Sequence, residues 1–254
     1  MISKAKIKQI QRLEKKKYRD ETGLFIAEGN KLVAEMIPFF ACDRLIASTA
    51  WIATQGNLPA KELIEANEED IRKISFLKTP QDVLAVFRYP SYRIEEVNPS
   101  DELVLALDGI QDPGNLGTMI RLADWFGIEH IVCSSDTADA FGPKSVQASM
   151  GALTRVKIHY VNLDDFLSKQ DAPLYGAFLD GNNIYEETLS SNGIIIIGNE
   201  GNGIRPTVES LVNKRIYIPN FPPTRPSPDS LNAAIAAAII CAEFRRKNNI
   251  NIGL

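Results

Sequence analysis

The sequence predicts an α/β protein with a parallel sheet covered on both faces, and three observations carry that prediction. Strand-like apolar runs alternate with helix-like stretches along the chain. Several runs, Ile194–Ile197 above all, are apolar at every position, as strands buried on both faces are. Three segments, Leu107–Gly127, Gly193–Ile204 and Arg215–Asn232, each join such a run to a turn rich in Gly, Asn or Pro with a helix start close behind. Loops of that kind at the strand ends of one sheet build a polar pocket, so the chain reads as an enzyme rather than a passive binding module.

In the first third, Leu24–Glu28, Arg44–Ala47 and Val83–Tyr89 read as strands, with helices around Lys31–Ile37, Lys61–Glu65 and Glu69–Ile74. A second strand series runs Leu103–Leu107, His130–Cys133, Val156–Val161, Tyr175–Leu179, Ile194–Ile197 and Arg215–Ile218. Helices at Thr118–Phe126, Lys144–Met150 and Asp164–Lys169 intervene. The stretch Leu231–Arg246 reads as a last helix, Ala-rich on nearly every side, which suits burial or packing against another subunit. Pro90–Glu102, polar and without an apolar period, is the linker candidate.

Composition narrows the class. A chain of 254 residues is long enough for one large domain or two smaller ones. Cys42, Cys133 and Cys241 are odd in number and far apart, with no CxxC pair. That argues against a disulfide framework and a zinc site, and for a reducing cytoplasm. The N-terminal stretch lacks the apolar core of a signal peptide, and the longest apolar run, Ala233–Ala242, is too short to span a bilayer. A soluble cytoplasmic protein is the expectation, with no membrane and no metal. The net charge of −4 hides an asymmetry: residues 1–20 carry eight cations against Glu14 and Asp20, hence +6, leaving −10 on the rest. Ile7, Ile10 and Leu13 mark a narrow apolar stripe there, so the arm reads as a helix with a solvated cationic face, or as a phosphate-binding element.

Each loop has its own chemistry. In the first, Asp112-Pro113-Gly114-Asn115 makes a tightly specified turn, because Pro fixes φ and Gly permits the left-handed region. Asn115 stands at the mouth of the following helix, either as its cap or as a site residue, and Arg121 lies about two turns on. The second, Gly198 to Gly203, is GxxGxG rather than the dinucleotide GxGxxG, and embeds a carboxylate, Glu200. The third holds Pro219, Pro222, Pro223, Pro226 and Pro228 with Arg225 among them, then Asp229-Ser230 before the last helix.

The order DPGNLGTMIRLADWFG, IIIIGNEGNGI and IYIP…SLNAAIAAAIICAEFRR resembles the three motifs of the SpoU/TrmH family of RNA ribose 2′-O-methyltransferases, within the SPOUT superfamily. The segments FIAEGNKLVAEM and LKTPQDVLAVF resemble that family's small substrate-binding domain. The charge run marks a basic N-terminal helix or arm over 1–20, and the resemblance implies a small α/β RNA-binding domain over 21–95 and a SPOUT methyltransferase domain over 96–254. It further implies a parallel sheet with a deep trefoil knot near 193–246, S-adenosylmethionine bound in the knot, and a homodimer whose active site draws on both subunits. Asn115, Arg121, Glu200, Ser230 and Asn232 match the family's catalytic and structural polar positions, while Gly198, Asn199, Gly201, Ile218 and Leu231 match its cofactor loop and backbone positions. Lys15, Lys16, Lys17, Arg19, Lys144 and Arg225 are the candidate RNA contacts.

A ribose hydroxyl is a poor nucleophile and must lose its proton, yet His130 and His159 both lie outside the three loops. Arg121 matches the position to which the family assigns the proton-accepting role, but a guanidinium cannot easily deprotonate. It is expected to clamp the phosphate beside the target ribose instead. The stretch NFPPTRPSPD departs from the family, being longer and without the usual glycine. Ribosomal RNA is favoured over transfer RNA. The alternatives are a tRNA ribose methyltransferase, a SPOUT-like RNA-binding protein without activity, and a Rossmann-type enzyme, whose GxGxxG turn is absent.

Overall fold

The computed structural model describes residues 2–222 and 230–248. Two compact units emerge: Met1–Ser91 with Asp139–Thr154, and Tyr92–Ala138 with Arg155–Leu254. The short segment from Asp139 to Thr154 thus goes with the first unit, although it falls inside the span 96–254 that the sequence suggests as one domain.

In the first unit, α1 (Lys4–Arg12) and α2 (Lys16–Thr22) lead into β1 (Leu24–Glu28), α3 (Asn30–Met36), β2 (Cys42–Ala47), α4 (Thr49–Thr54), β3 (Ala60–Glu65), α5 (Glu68–Ile74) and β4 (Val83–Arg88). The sheet has the order β1-β4-β2-β3, with β4 antiparallel to both neighbours and β3 parallel to β2. One face packs Ile26, Ile46, Leu84 and Val86 against Ile10, Leu13, Ile71 and Ile74, so the apolar stripe of the basic arm does anchor it. The other face carries Phe25, whose ring sits 5.3 Å from Phe40 and 4.9 Å from Phe141. Each fully buried ring of that size contributes about 1.5–3 kcal/mol relative to exposure. The helix expected at Lys61–Glu65 is instead strand β3. Its alternation, with Lys61, Leu63 and Glu65 outward, has the period of a strand, and pairing with β2 overrides the helical preference of Lys, Glu and Leu. Its outward charges also suit a sheet edge.

The second unit contains β5 (Leu103–Asp108), α6 (Pro113–Trp125) and β6 (His130–Ser134). After α7 (Pro143–Ser149), which belongs to the first unit and packs on β1, come β7 (Lys157–Val161), α8 (Leu163–Leu167), β8 (Leu174–Asn183), β9 (Gly193–Gly198), α9 (Pro206–Glu209), β10 (Lys214–Tyr217) and α10 (Ala233–Asn248). Its six strands are parallel throughout, in the order β10-β8-β9-β5-β6-β7, as the continuous apolar runs predict. Val104, Ala106, Ile194 and Ile196 pack on Leu163, Leu167 and Val208 from α8 and α9. The opposite face is covered by α6 and α10. The knot expected near 193–246 includes residues 223–229, which lie outside the described residues.

Away from the three loops, His130 Nδ1 and His159 Nε2 lie 3.0 Å apart on β6 and β7, both rings buried. Such a pair needs at least one neutral ring, and burial with the neighbouring His130 pushes the His159 pKa down to about 4.

Candidate functional site

The site lies where the strand order of the second sheet reverses. β5, β6 and β7 run outward on one side, and β9, β8 and β10 on the other. The chain leaving β5 turns to one face and the chain leaving β9 to the other, so a crevice opens at their carboxyl ends.

After β5, Asp112 caps α6, its carboxylate accepting the Asn115 N–H at 2.8 Å. Pro113 opens the helix, where its missing N–H costs nothing. The cap is therefore Asp112, not Asn115, and the Asn115 amide is left for tertiary contacts. After β9, the chain closes a tight hairpin: Asn199 N–H donates to Gly203 O, and Gly203 N–H to Asn199 O, each at 2.9 Å. Asn199 Oδ1 accepts from the Gly201 and Asn202 N–H groups at 2.9 and 3.0 Å. Gly198 has no alternative here, since a Cβ would lie 2.3 Å from the backbone of Gly203 and Ile204.

The polar side chains then meet in a directed series. Asn232 Oδ1 accepts from the Ala234 and Ile235 N–H groups at 3.0 and 3.2 Å, capping α10. Its Nδ2 donates to Asn115 Oδ1 at 3.1 Å, and Asn115 Nδ2 donates to Glu200 Oε1 at 2.8 Å. Backbone donors at one end and a carboxylate at the other leave each amide one orientation.

Beside this series is a cavity of about 520 Å³. The hairpin from Gly198 to Gly203 forms one wall, Ile216–Ile218 a second, and Ser230, Leu231 and Ala233 a third. Ala177–Leu179 complete it because β10 jumps register there: Arg215 faces Gly176 whereas Ile216 faces Asn182, so the β8 residues between swing clear. The Arg215 guanidinium lies 3.6 Å over the Phe178 ring and pairs with Asp180 at 2.5 Å and Glu209 at 2.6 Å. Those two carboxylates hold its pKa up.

Gly198, Asn199, Gly201, Ile218 and Leu231, the predicted cofactor residues, all line this cavity, as do Glu200 and Ser230. Asn115 and Asn232 join them through hydrogen bonds. Arg121 does not line it. It is exposed on α6 and makes no hydrogen bond or ion pair among the described residues. Six residues beyond Asn115 is about 1.7 helical turns, so it projects roughly a third of a turn away.

Of the candidate RNA contacts, Lys15, Lys16, Lys17 and Lys144 are exposed. Arg19 requires correction: it is 3% exposed. Its Nε and Nη2 donate to Asp139 Oδ2 at 3.0 and 2.5 Å, and its Nη1 to the Leu13 and Glu14 carbonyls, an internal strut rather than a surface contact. Arg225 lies outside the described residues. No group of three or more His, Cys, Asp or Glu residues that could hold a metal occurs among the described residues.

One cluster escapes the sequence. Asp108, at the end of β5, is 2% exposed and accepts the Arg205 N–H at 2.8 Å. The Arg205 guanidinium lies 2.5 Å from its other oxygen and donates to Asp136 at 2.8 Å. Burial pushes the Asp108 pKa up, and Arg205 opposes that shift. A cation directly after a Gly-rich turn was the available signal, but nothing local pairs it with a carboxylate almost a hundred residues earlier.

The SpoU rRNA Methylase family matches residues 102–242, and an MRM3-like substrate binding domain matches residues 4–85. The chain is 31% identical to the 23S rRNA (guanosine(2553)-2'-O)-methyltransferase RlmP of Bacillus subtilis, over 94% of this chain and 96% of that protein. Among solved structures, a putative RNA methyltransferase of the TrmH family from Porphyromonas gingivalis superposes with TM-score 0.88 at 43% identity, covering 97% of this chain and 99% of that one. An AdoMet-bound rRNA methyltransferase from Sinorhizobium meliloti superposes with TM-score 0.84 at 31% identity, covering 97% and 96%.

Proposed function

This chain belongs to the SpoU rRNA methylase family, and from that premise we propose that it methylates a ribose 2′-hydroxyl of ribosomal RNA with S-adenosylmethionine. The observation that carries the reading is the Asn232–Asn115–Glu200 series set at the rim of the 520 Å³ cavity. The residues present fit the cofactor. Ile216, Ile218 and Leu231 offer apolar surface for a planar base, and the hairpin offers bare peptide groups where Gly198 excludes any side chain. Two carboxylates, Glu200 and Glu209, face the cavity against one guanidinium, Arg215, which suits a cationic ligand. When bound, S-adenosylmethionine supplies an electrophilic methyl carbon on a sulfonium centre.

The chain's own residues do the rest. Glu200 holds the Asn115 amide, Asn232 holds it from the other side while fixing the start of α10, and Ser230 borders the same wall. Arg121 presents a planar fork that grips the phosphate beside the target ribose and orients its hydroxyl, whose proton leaves to water or a phosphate oxygen. Because Arg121 projects away from the cavity of its own chain, we assign it to the site of a second copy. Trp125, 80% exposed on α6, and Ile235, 53% exposed on α10, give that homodimer an apolar surface to bury. Sedimentation of a monomer at micromolar concentration would count against it.

RNA contact falls to the outward row of α1 and the turn after it. Lys4, Lys8, Arg12 and Lys15 are exposed at spacings of about one turn, and none forms an ion pair with a carboxylate among the described residues. Three free buried cysteines, Cys42, Cys133 and Cys241, suit a reducing compartment, and we place the site of action in the cytoplasm. The decisive experiment incubates the purified chain with methyl-labelled S-adenosylmethionine and either ribosomal or transfer RNA, then digests to nucleosides. Label on a 2′-O-methyl nucleoside from ribosomal RNA is expected. Label on a base, or on transfer RNA alone, overturns the reading, and absence of S-adenosylmethionine binding by calorimetry supports a non-catalytic RNA binder.

A further inference from the structure

We propose that Arg205 is a positioning residue that sets the cofactor-binding hairpin by clamping its foot to the end of β5 through Asp108. The hairpin stands on two feet. At one, Asn199 Nδ2 donates to Gly109 O at 2.7 Å. At the other, the Arg205 N–H donates to Asp108 Oδ2 at 2.8 Å, while its guanidinium faces Asp108 Oδ1 at 2.5 Å as an ion pair without hydrogen-bond geometry and donates to Asp136 at 2.8 Å. Glu200 at the tip meets Asn115 at 2.8 Å. The two feet and the tip thus join three points of one hairpin to the β5–α6 connection.

The two carboxylates on Arg205 are unequal. Asp136 is 54% exposed in its side chain, so water screens that pair and its contribution is small. Asp108 is 1% exposed in its side chain, and no other described cation pairs with it. A buried carboxylate without a partner is costly, so the Asp108–Arg205 contact is the one that fixes position. The receiving end is itself rigid. Gly109, at φ +70°, donates its N–H to Ser134 Oγ at 2.9 Å, and Ser134 lies 3.0 Å from Thr137, whose hydroxyl reaches Leu107 O at 3.2 Å. Arg205 also precedes Pro206, the first residue of α9, so its backbone is already extended where the clamp closes. Arg205 does not line the cavity, and its effect on a ligand passes through the hairpin peptides.

This inference rests on the methyltransferase reading only for the identity of the ligand. Three full-length variants test it: Arg205→Gln, Arg205→Lys and Asp108→Asn. The last keeps an acceptor for the Arg205 N–H and removes the buried charge, so it does not strand an unpaired buried carboxylate as Arg205→Gln does. Two measurements are made, S-adenosylmethionine affinity by calorimetry and amide hydrogen exchange of residues 199–204 without ligand. Loss of an outer support of this kind weakens binding by about tenfold or more. We expect that loss for Arg205→Gln, a smaller one for Arg205→Lys and Asp108→Asn, and faster exchange confined to the hairpin and Gly109. The KM for RNA should move less than the KM for S-adenosylmethionine. Affinities within about twofold of the parent in all three folded variants, or exchange raised evenly across the unit, overturn the proposal. A parent that binds S-adenosylmethionine but methylates no ribose defeats the functional reading alone and leaves this test intact.

Discussion

Gly198 is the position at which the smallest chemical change should do the most damage. A Cβ there would lie 2.3 Å from Gly203 C and Ile204 N and 2.6 Å from Gly203 O. All three are backbone atoms of the returning hairpin, so no side chain can rotate away to make room. Ordinary contact begins near about 3.4 Å, and the hairpin must therefore retreat by about 1 Å in an interior with no slack. Overpacking of that order costs about 1–3 kcal/mol of stability. A displacement of about 1 Å in a group that positions a reactant costs about a hundredfold in rate. Two neighbours serve as internal comparisons. Gly203 is at φ +69° with open space around it, so Gly203→Ala should lose only the left-handed strain, about 1–2 kcal/mol. At Gly201 the nearest atom to a Cβ is Asn199 Oδ1 at 3.6 Å, and Gly201→Ala should keep its stability within about 0.5 kcal/mol. Urea unfolding of the three variants, with S-adenosylmethionine calorimetry and single-turnover methylation for Gly198→Ala, makes the comparison. A Gly198→Ala protein that binds within about threefold of the parent and unfolds at the same midpoint would refute the reasoning.

Three further outcomes follow from the same geometry. Glu200→Gln keeps an acceptor for Asn115 but loses its charge, and should lower kcat/KM by roughly tenfold, with Glu200→Ala worse; equal, near-parental values would remove Glu200 from the series. Arg121→Lys should slow turnover at saturating RNA, because a point charge does not reproduce a bidentate fork; unchanged turnover sinks the role given to it. His159 has its pKa lowered to about 4 by burial and by His130, against about 6.5 unfolded, so the unfolded chain takes up the proton first as pH falls. Stability should be full above pH ~6.5 and decline towards pH ~4, and urea midpoints at neutral and mildly acidic pH should differ more in the parent than in His159→Gln.

Local pattern made much of this architecture legible. Ile194–Ile197, apolar at every position, announces a strand covered on both faces, and it is strand β9 in a parallel sheet. The Gly-rich hairpin and the carboxylate within it are visible as GNEGNG, because tight turns need residues without a Cβ. Strand β3 shows the limit: Lys61, Glu62 and Leu63 favour a helix by themselves, and only pairing with β2 makes them a strand.

Turns, buried strands and the residue types of the site are written in the local order of the chain, since each depends on neighbours a few residues away. Tertiary structure decided which of those residues meet. It freed Asn115 from capping by giving that task to Asp112, and set Asn115 between Glu200 and Asn232. It turned Arg19 from a surface cation into a buried strut on Asp139, 120 residues away in sequence. It put Arg205 on Asp108 at a separation of 97. Charge and hydrogen bonding act through space, so no local period of the chain encodes these pairings; they exist only once the sheet has brought the strand ends together.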